Sequence, residues 1–123
     1  MGNTAADSAQ KKRSAVALGV SAETYVCGVL IDQGWRILAR NWRGGGGEID
    51  IVALRHGLLR IVEVKARTEG DPLLAITPSK QRKLSAAAQA FLASCEEPWD
   101  AVSFSIAMLK ARQLSWLHDA FDA

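Results

Sequence analysis

The sequence predicts a single α/β domain on a central mixed five-stranded sheet flanked by helices, with elements in the order α-β-β-β-α-β-β. Three observations carry this. An N-terminal stretch spaces its apolar residues at helical intervals. Two short runs, Glu48 to Leu54 and Leu59 to Lys65, flank a turn and read as a hairpin. Further on, Val102, Phe104, Ile106 and Met108 alternate with Ser103, Ser105 and Ala107, a half-buried strand pattern. Helices and strands in this order fit a sheet with helices packed on it.

The first helix is expected from about Ser8 to Asp32. Leu18, Ala22, Tyr25, Val26, Val29 and Leu30 form its apolar arc, and Gly34 follows as a stop signal. Glu23 lies at the border of that arc, either aimed along the sheet face or solvated at the helix edge. Trp35 to Trp42 reads as the first strand. Gly44 to Gly47 then forms a turn or bulge, which lets a backbone approach a phosphate or simply makes a flexible loop. The loop from Ala66 to Ile76 contains Gly70-Asp71-Pro72 and, beside Lys65, is a candidate substrate-contacting lid.

Thr77-Pro78 starts the second helix, as an N-cap followed by proline at the first helical position. It should run to about Cys95, with a buried stripe of Leu84, Ala87, Ala88, Phe91, Leu92 and Cys95. Gln81 projects into that stripe, where an amide needs a partner. It can satisfy a core backbone group, or reach toward a ligand at the first turn of the helix. Pro98-Trp99-Asp100 breaks the helix, and Leu114 to His118 reads as the last strand. His56 belongs to a turn, His118 packs or caps near the C-terminus, and neither is assigned to catalysis.

With 123 residues the chain is most economically one domain, 8–123, preceded by a disordered tail, 1–7. It contains no apolar run of about 18 residues, which argues against a membrane-spanning helix. The start, Met1 to Arg13, is polar and lacks a signal core. Met1-Gly2 opens a myristoylation-like pattern, but Ala6 stands where Ser or Thr is needed. A cytoplasmic protein is expected, with Cys27 and Cys95 reduced and in the core. The net charge of +2 does not by itself argue for nucleic acid. The clusters Arg36, Arg40, Arg43 and Lys80, Arg82, Lys83 can contact phosphates, and are equally ordinary as solubilising surface.

The acidic hairpin is the most informative segment. Glu48 and Asp50 lie on one strand and Glu63 and Lys65 on the next, among Ile49, Ile51, Val62 and Val64. A two-residue turn at His56-Gly57 pairs Arg55 with Leu58, which sets Asp50 against Glu63 and Glu48 against Lys65. A four-residue loop closed by Leu54 and Leu59 keeps this register, and a three-residue loop would send Asp50 to the face opposite Glu63. Like charges directly opposed destabilise a sheet, so a cation belongs between them. Lys65 alone can supply it, with Glu48 and Asp50 merely solvated. A divalent metal is the alternative that the apolar neighbours favour, since magnesium takes oxygen from a few carboxylates and keeps several waters.

Asp50 with Glu63-Val64-Lys65 resembles the D…(D/E)-x-K signature of the restriction-endonuclease-like nucleases. The wider string is similar to the YraN family, which resembles archaeal Holliday-junction resolvases. It comprises Gly19 with Glu23, Gly34-Trp35-Arg36-Ile37-Leu38, Arg40-Asn41-Trp42-Arg43, Gly47-Glu48-Ile49-Asp50-Ile51-Val52, Val62-Glu63-Val64-Lys65-Ala66-Arg67, Thr77-Pro78-Ser79-Lys80-Gln81-Arg82-Lys83-Leu84 and His118-Asp119-Ala120-Phe121. Gly44 to Gly47 is more glycine-rich than that pattern. The resemblance implies a restriction-endonuclease-like fold and a metal-dependent, structure-selective DNA endonuclease acting on branched DNA, with a homodimer as a partner expectation.

It further implies that Asp50, Glu63 and the Val64 carbonyl hold magnesium, with manganese as a substitute. Lys65 is then the catalytic cation, and Glu23, Glu48 and Gln81 are supporting catalytic residues. Arg40, Arg43, Arg67, Lys80 and Arg82 are the candidate phosphate contacts. The competing expectation is a non-catalytic nucleic-acid-binding or assembly module on the same fold, and a third is a protein-interaction domain whose acidic hairpin is an ion-pair network.

Overall fold

The computed structural model describes residues 21–66, 76–110 and 113–120. Within them the chain forms α1 (Ala22–Asp32), β1 (Arg36–Gly44), β2 (Gly47–Arg55) and β3 (Leu58–Ala66), then α2 (Pro78–Ser94), β4 (Ala101–Lys110) and β5 (Gln113–His118). The strands make one five-stranded sheet in the order β1-β2-β3-β4-β5. Pairing is antiparallel except between β3 and β4, which are parallel. A parallel pair cannot be closed by a tight turn and needs a crossover, and α2 lies in that connection. The expected α/β mixed sheet and its element order are therefore present.

Local sequence explains the element ends. Ser21 caps α1 by accepting the Thr24 N–H at 3.2 Å, and Thr77 caps α2 by accepting the Lys80 N–H at 3.2 Å. Pro78 occupies the first turn of α2, as expected. The expected start of the first helix near Ser8 is corrected to Ala22 for the described helix, because Ser21 is extended (φ −61°, ψ 147°) and acts as its cap. Residues 8–20, the tail 1–7 and residues 67–75 of the lid candidate, Arg67 included, lie outside the described residues.

His56 (φ 50°) and Gly57 (φ 77°) form the two-residue hairpin turn, and the register is the expected one from Arg55↔Leu58 to Ile51↔Val62. Gly45 (φ 61°) and Gly46 (φ 86°) turn β1 into β2 in the same manner. Here the glycines answer to α2. A Cβ on Gly45 would lie 2.6 Å from the Ala86 carbonyl oxygen, and one on Gly47 would collide with the Lys83 carbonyl oxygen. The turn is neither a loose loop nor a bulge: it is a hairpin tip packed against helix backbone.

Each sheet face carries its own core. Ile49, Val52, Leu59, Ile61 and Phe104 pack with Leu84, Ala87 and Phe91 of α2. Trp42 joins them edge-on to Phe91, with ring centroids 5.3 Å apart and planes at 86°. On the other face Ile51, Ala53, Val62 and Ala107 pack with Val26, Cys27 and Leu30 of α1 and with Trp35. Each fully buried aliphatic side chain stabilises such a core by roughly 1.5–3 kcal/mol relative to leaving it exposed.

Two expectations are corrected here. β4 is buried on both faces from Ser103 to Leu109, because it is an inner strand and its small residues are covered as well. Cys27 is in the core as expected, but Cys95 is only half-buried: it caps α2, with Sγ 3.6 Å from the Glu97 carbonyl oxygen. His118 packs as expected, stacked on Trp116 and bonded through Nδ1 to Ser105 Oγ at 3.0 Å. Among the described residues no helix is long and apolar enough to cross a membrane.

Candidate functional site

The regular β2–β3 ladder stops at Ile51↔Val62, one residue short of the expected Asp50–Glu63 pair. What replaces it is a side-chain contact. The Val64 N–H donates to Asp50 Oδ2 at 2.8 Å, so the carboxylate stands where a continued ladder would present a backbone carbonyl. The cause lies in β2 itself. Ile49 packs on the α2 side with Val52, whereas Ile51 packs on the α1 side with Ala53. Strict alternation would keep 49 and 51 on one face. The face changes at Asp50, and the side chain is freed toward β3.

The neighbouring strand breaks at the same level. β1 pairs Arg40 with Ile51 and Trp42 with Ile49, and skips Asn41 and Asp50 between them. Asn41 has φ 48°, the left-handed region that asparagine enters more readily than most residues.

Glu63 keeps the alternation of β3 and lies on the α2 side, where Asp50, Glu63, Glu48 and Gly47 with Lys80, Lys83 and Leu84 of α2 line a cleft of about 240 Å³. The Glu63 side chain is 17% exposed and that of Lys65 13%, with Lys65 Nζ 3.6 Å from Glu63 Oε1. Burial, then the Asp50 charge and a hydrogen bond between the two carboxyls, push the Glu63 pKa up to about 7, against the pull of Lys65 and Lys80. Two acids have thus been brought together in a half-covered cleft, and Glu63 retains a proton far above the ordinary carboxylate range. Carboxyls perturbed in this way are characteristic of functional sites.

Glu23, in the first turn of α1, approaches from the opposite side. Its carboxyl is raised mainly by burial and next by the Asp50 charge, while a hydrogen bond from the Asn41 side chain and the charge of Arg40 lower it. Its side chain is partly buried, between the two alternatives that periodicity allows.

Other candidates fall differently. Glu48 lines the cleft, but it is not set against Lys65: its cross-strand partner is Arg43, with an ion pair of 3.6 Å, because the β2–β3 ladder does not extend that far. Gln81 does not line the cleft. Its Nε2 donates to the Ile76 carbonyl at 3.4 Å, the bland alternative for an amide in that stripe. Arg40 is tied to α1 through a 2.9 Å bond to Thr24 Oγ1. Lys80 lines the cleft and Arg82 is exposed on α2 outside it. Lys83 shares the cleft with Lys80, and their spacing of three residues on a helix was the available signal. Nothing in strand periodicity marks the left-handed backbone of Asn41.

Among the described residues no group of three or more His, Cys, Asp or Glu side chains is placed to share a metal. The candidate ligands are thus two carboxylates, with backbone oxygen and water completing the set. Since the N–H and C=O of one strand residue point to the same side, the Val64 carbonyl leaves β3 toward β2, as its N–H does. Two carboxylates, one carbonyl and several waters suit magnesium.

A family model described as "Uncharacterised protein family UPF0102" matches residues 22–118. The chain belongs to this family. A UPF0102 protein of Rhodopseudomonas palustris (strain HaA2) is 39% identical over 126 residues, covering 100% of this chain and 98% of that protein. One of Chlorobaculum parvum is 41% identical over 100 residues, covering 79% and 78%. Another, of Lachnoclostridium phytofermentans, is 39% identical over 109 residues, covering 85% and 92%. The UPF0102 match spans every element from α1 to β5, so Glu23, Asp50, Glu63 and Lys65 all lie within it.

Proposed function

We propose that this chain is a metal-dependent endonuclease that hydrolyses phosphodiester bonds in DNA, with the Asp50–Glu63 pair as its metal centre. The observation that carries the reading is the arrangement of those two carboxyls at the point where β2 and β3 part. They share a cleft lined by Lys80 and Lys83, and Lys65, outside that lining, lies 3.6 Å from Glu63. Asp50, Glu63 and the Val64 carbonyl would hold magnesium, or manganese in its place. Bound there, the ion supplies Lewis-acid polarisation of a phosphodiester oxygen and a water of lowered pKa.

The protein's own groups do the rest. Asp50 is locked by the Val64 N–H, so its carboxylate cannot swing away when a substrate phosphate enters. Lys65, fixed near Glu63, stabilises charge developing on the phosphate or orients the attacking water. Glu23 stands behind Asp50 as an accessory acid. Lys80 and Lys83 on the rim, with Arg43 at the hairpin tip, hold the DNA backbone without reading sequence. A branched substrate and a homodimer extend this proposal through the resemblance to junction resolvases.

The test is a manganese titration followed by gel retardation on linear, flap and four-way-junction DNA. The proposal predicts one manganese site per chain that Asp50→Asn abolishes, and retention of DNA by the unmutated protein. Retention of DNA without that site would favour the non-catalytic module instead.

A further inference from the structure

We propose that the hollow over the β1–β2 hairpin tip is a second subsite, which holds the phosphate next to the scissile one on the strand being cut. This inference rests on the nuclease reading and deepens it.

A hollow of about 510 Å³ lies at the tip, lined by Arg43, Gly44, Gly46, Gly47 and Glu48. Gly47 and Glu48 also line the cleft that contains Asp50 and Glu63, so the two spaces adjoin. A strand whose phosphate sits at the carboxyl pair therefore has an open path across the tip. Backbone charges recur along one strand at short, regular intervals, and adjoining spaces suit successive phosphates.

The tip has its own cation. Lys80 and Lys83 line the cleft from α2, whereas among the described residues Arg43 alone brings a positive charge to the tip hollow. Its side chain is 80% exposed, and its closest approach to Glu48 is 3.6 Å, through Nε. So exposed an ion pair is weak. A phosphate offers the guanidinium a shorter, two-pronged partner.

The glycines of the tip do not share one explanation. A Cβ on Gly44 would run into the Trp42 indole, and those on Gly45 and Gly47 into carbonyl oxygens of α2. Gly46 is different: among the described residues a Cβ there meets nothing within 4 Å. Its φ of 86° requires a residue that tolerates the left-handed region, and asparagine does so too. Glycine at this position leaves the hollow bare, where a ligand can come close to the backbone.

The experiment compares Arg43→Gln, Gly46→Asn and a charge control, Arg36→Gln, at the other end of β1, where Arg36 pairs with Glu97 at 2.7 Å. Melting temperature is read for each. Binding is measured against salt with a chelator present, on labelled flap or four-way-junction DNA, whichever the unmutated protein retains. Arg43→Gln should lower the slope of log affinity against log salt by about 0.7–0.9, one phosphate contact, and Arg36→Gln should leave it unchanged. A folded Gly46→Asn should keep the slope, since no charge is lost. It should bind about fivefold or more weakly, the least that overfilling an occupied space costs.

The strand is read by cleavage in magnesium of the same DNA, with one uncharged methylphosphonate linkage placed in turn at each position flanking the cut. One flanking position should slow the unmutated protein and slow Arg43→Gln no further. The inference is overturned if Arg43→Gln keeps the full salt slope, if a folded Gly46→Asn binds as tightly as the unmutated protein, or if no flanking linkage is coupled to Arg43. Should Gly46→Asn fail to fold, the salt slope and the linkage scan decide. Absence of binding or of cutting by the unmutated protein would sink the nuclease reading and the subsite with it. Binding and cutting with any of the three failures removes the subsite alone.

Discussion

Replacing Glu63 by glutamine should make the metal-free protein more stable as pH rises, by an amount that follows from the pair geometry. The Glu63 side chain is 17% exposed, and its carboxyl is raised from the ordinary 4.5 to about 7. A carboxyl whose folded-state pKa exceeds its unfolded value contributes stability that is fully present below the unfolded value. That contribution is lost as pH rises through the folded value. A rise of about 2.5 pH units, at roughly 1.4 kcal/mol each, makes the loss about 3 kcal/mol between pH 4.5 and pH 8. Glutamine cannot ionise, and its amide can still donate to Asp50. Urea unfolding of both proteins at pH 5, 6, 7 and 8 in the presence of a chelator reads the difference. The advantage of Glu63→Gln should grow by about 2–3 kcal/mol across that range. Saturating magnesium at pH 8 should then narrow it, by stabilising only the unmutated protein. A difference that stays constant with pH would refute the reasoning, because Glu63 would then not be ionising against Asp50.

Three further outcomes can be checked by mutation. Gly47→Ala forces a Cβ onto the Lys83 carbonyl oxygen, and should lower stability by about 1–3 kcal/mol in urea unfolding while loosening the hairpin tip from α2. Thr77→Ala removes the cap that accepts the Lys80 N–H and should cost about 1 kcal/mol, read as a lowered melting temperature. Asp50→Asn should abolish manganese binding. The folded spectrum should persist in circular dichroism, because the amide oxygen can still accept the Val64 N–H.

Much of this fold is legible in the sequence, for identifiable reasons. His56-Gly57 fits a two-residue turn, and that alone sets Ile51 against Val62. Thr77-Pro78 announces the start of α2 to the residue. The meeting of Asp50 with Glu63 is also legible, because register brings their backbones to the same level. How they meet is not. It depends on a change of face at Asp50 and a left-handed Asn41, and alternation rules assume neither. The glycines from 44 to 47 are ambiguous for a similar reason. Only the position of α2 reveals that its carbonyls occupy the space a side chain at Gly45 or Gly47 would need. Ser103, Ser105 and Ala107 read as the exposed half of a strand, yet small residues on an inner strand are readily covered by neighbours. Gln81 offers two partners on paper, and the Ile76 carbonyl, close by at the start of the helix, takes it.

The most direct test of the central claim is cleavage itself. Labelled linear, single-stranded, flap and four-way-junction DNA would be incubated with the protein in magnesium, in manganese and in chelator, beside Glu63→Gln. Metal-dependent cutting of at least one substrate, absent in chelator and in a folded Glu63→Gln protein, is the predicted result. Cutting that persists in Glu63→Gln, or no cutting of any substrate in either metal, would contradict it.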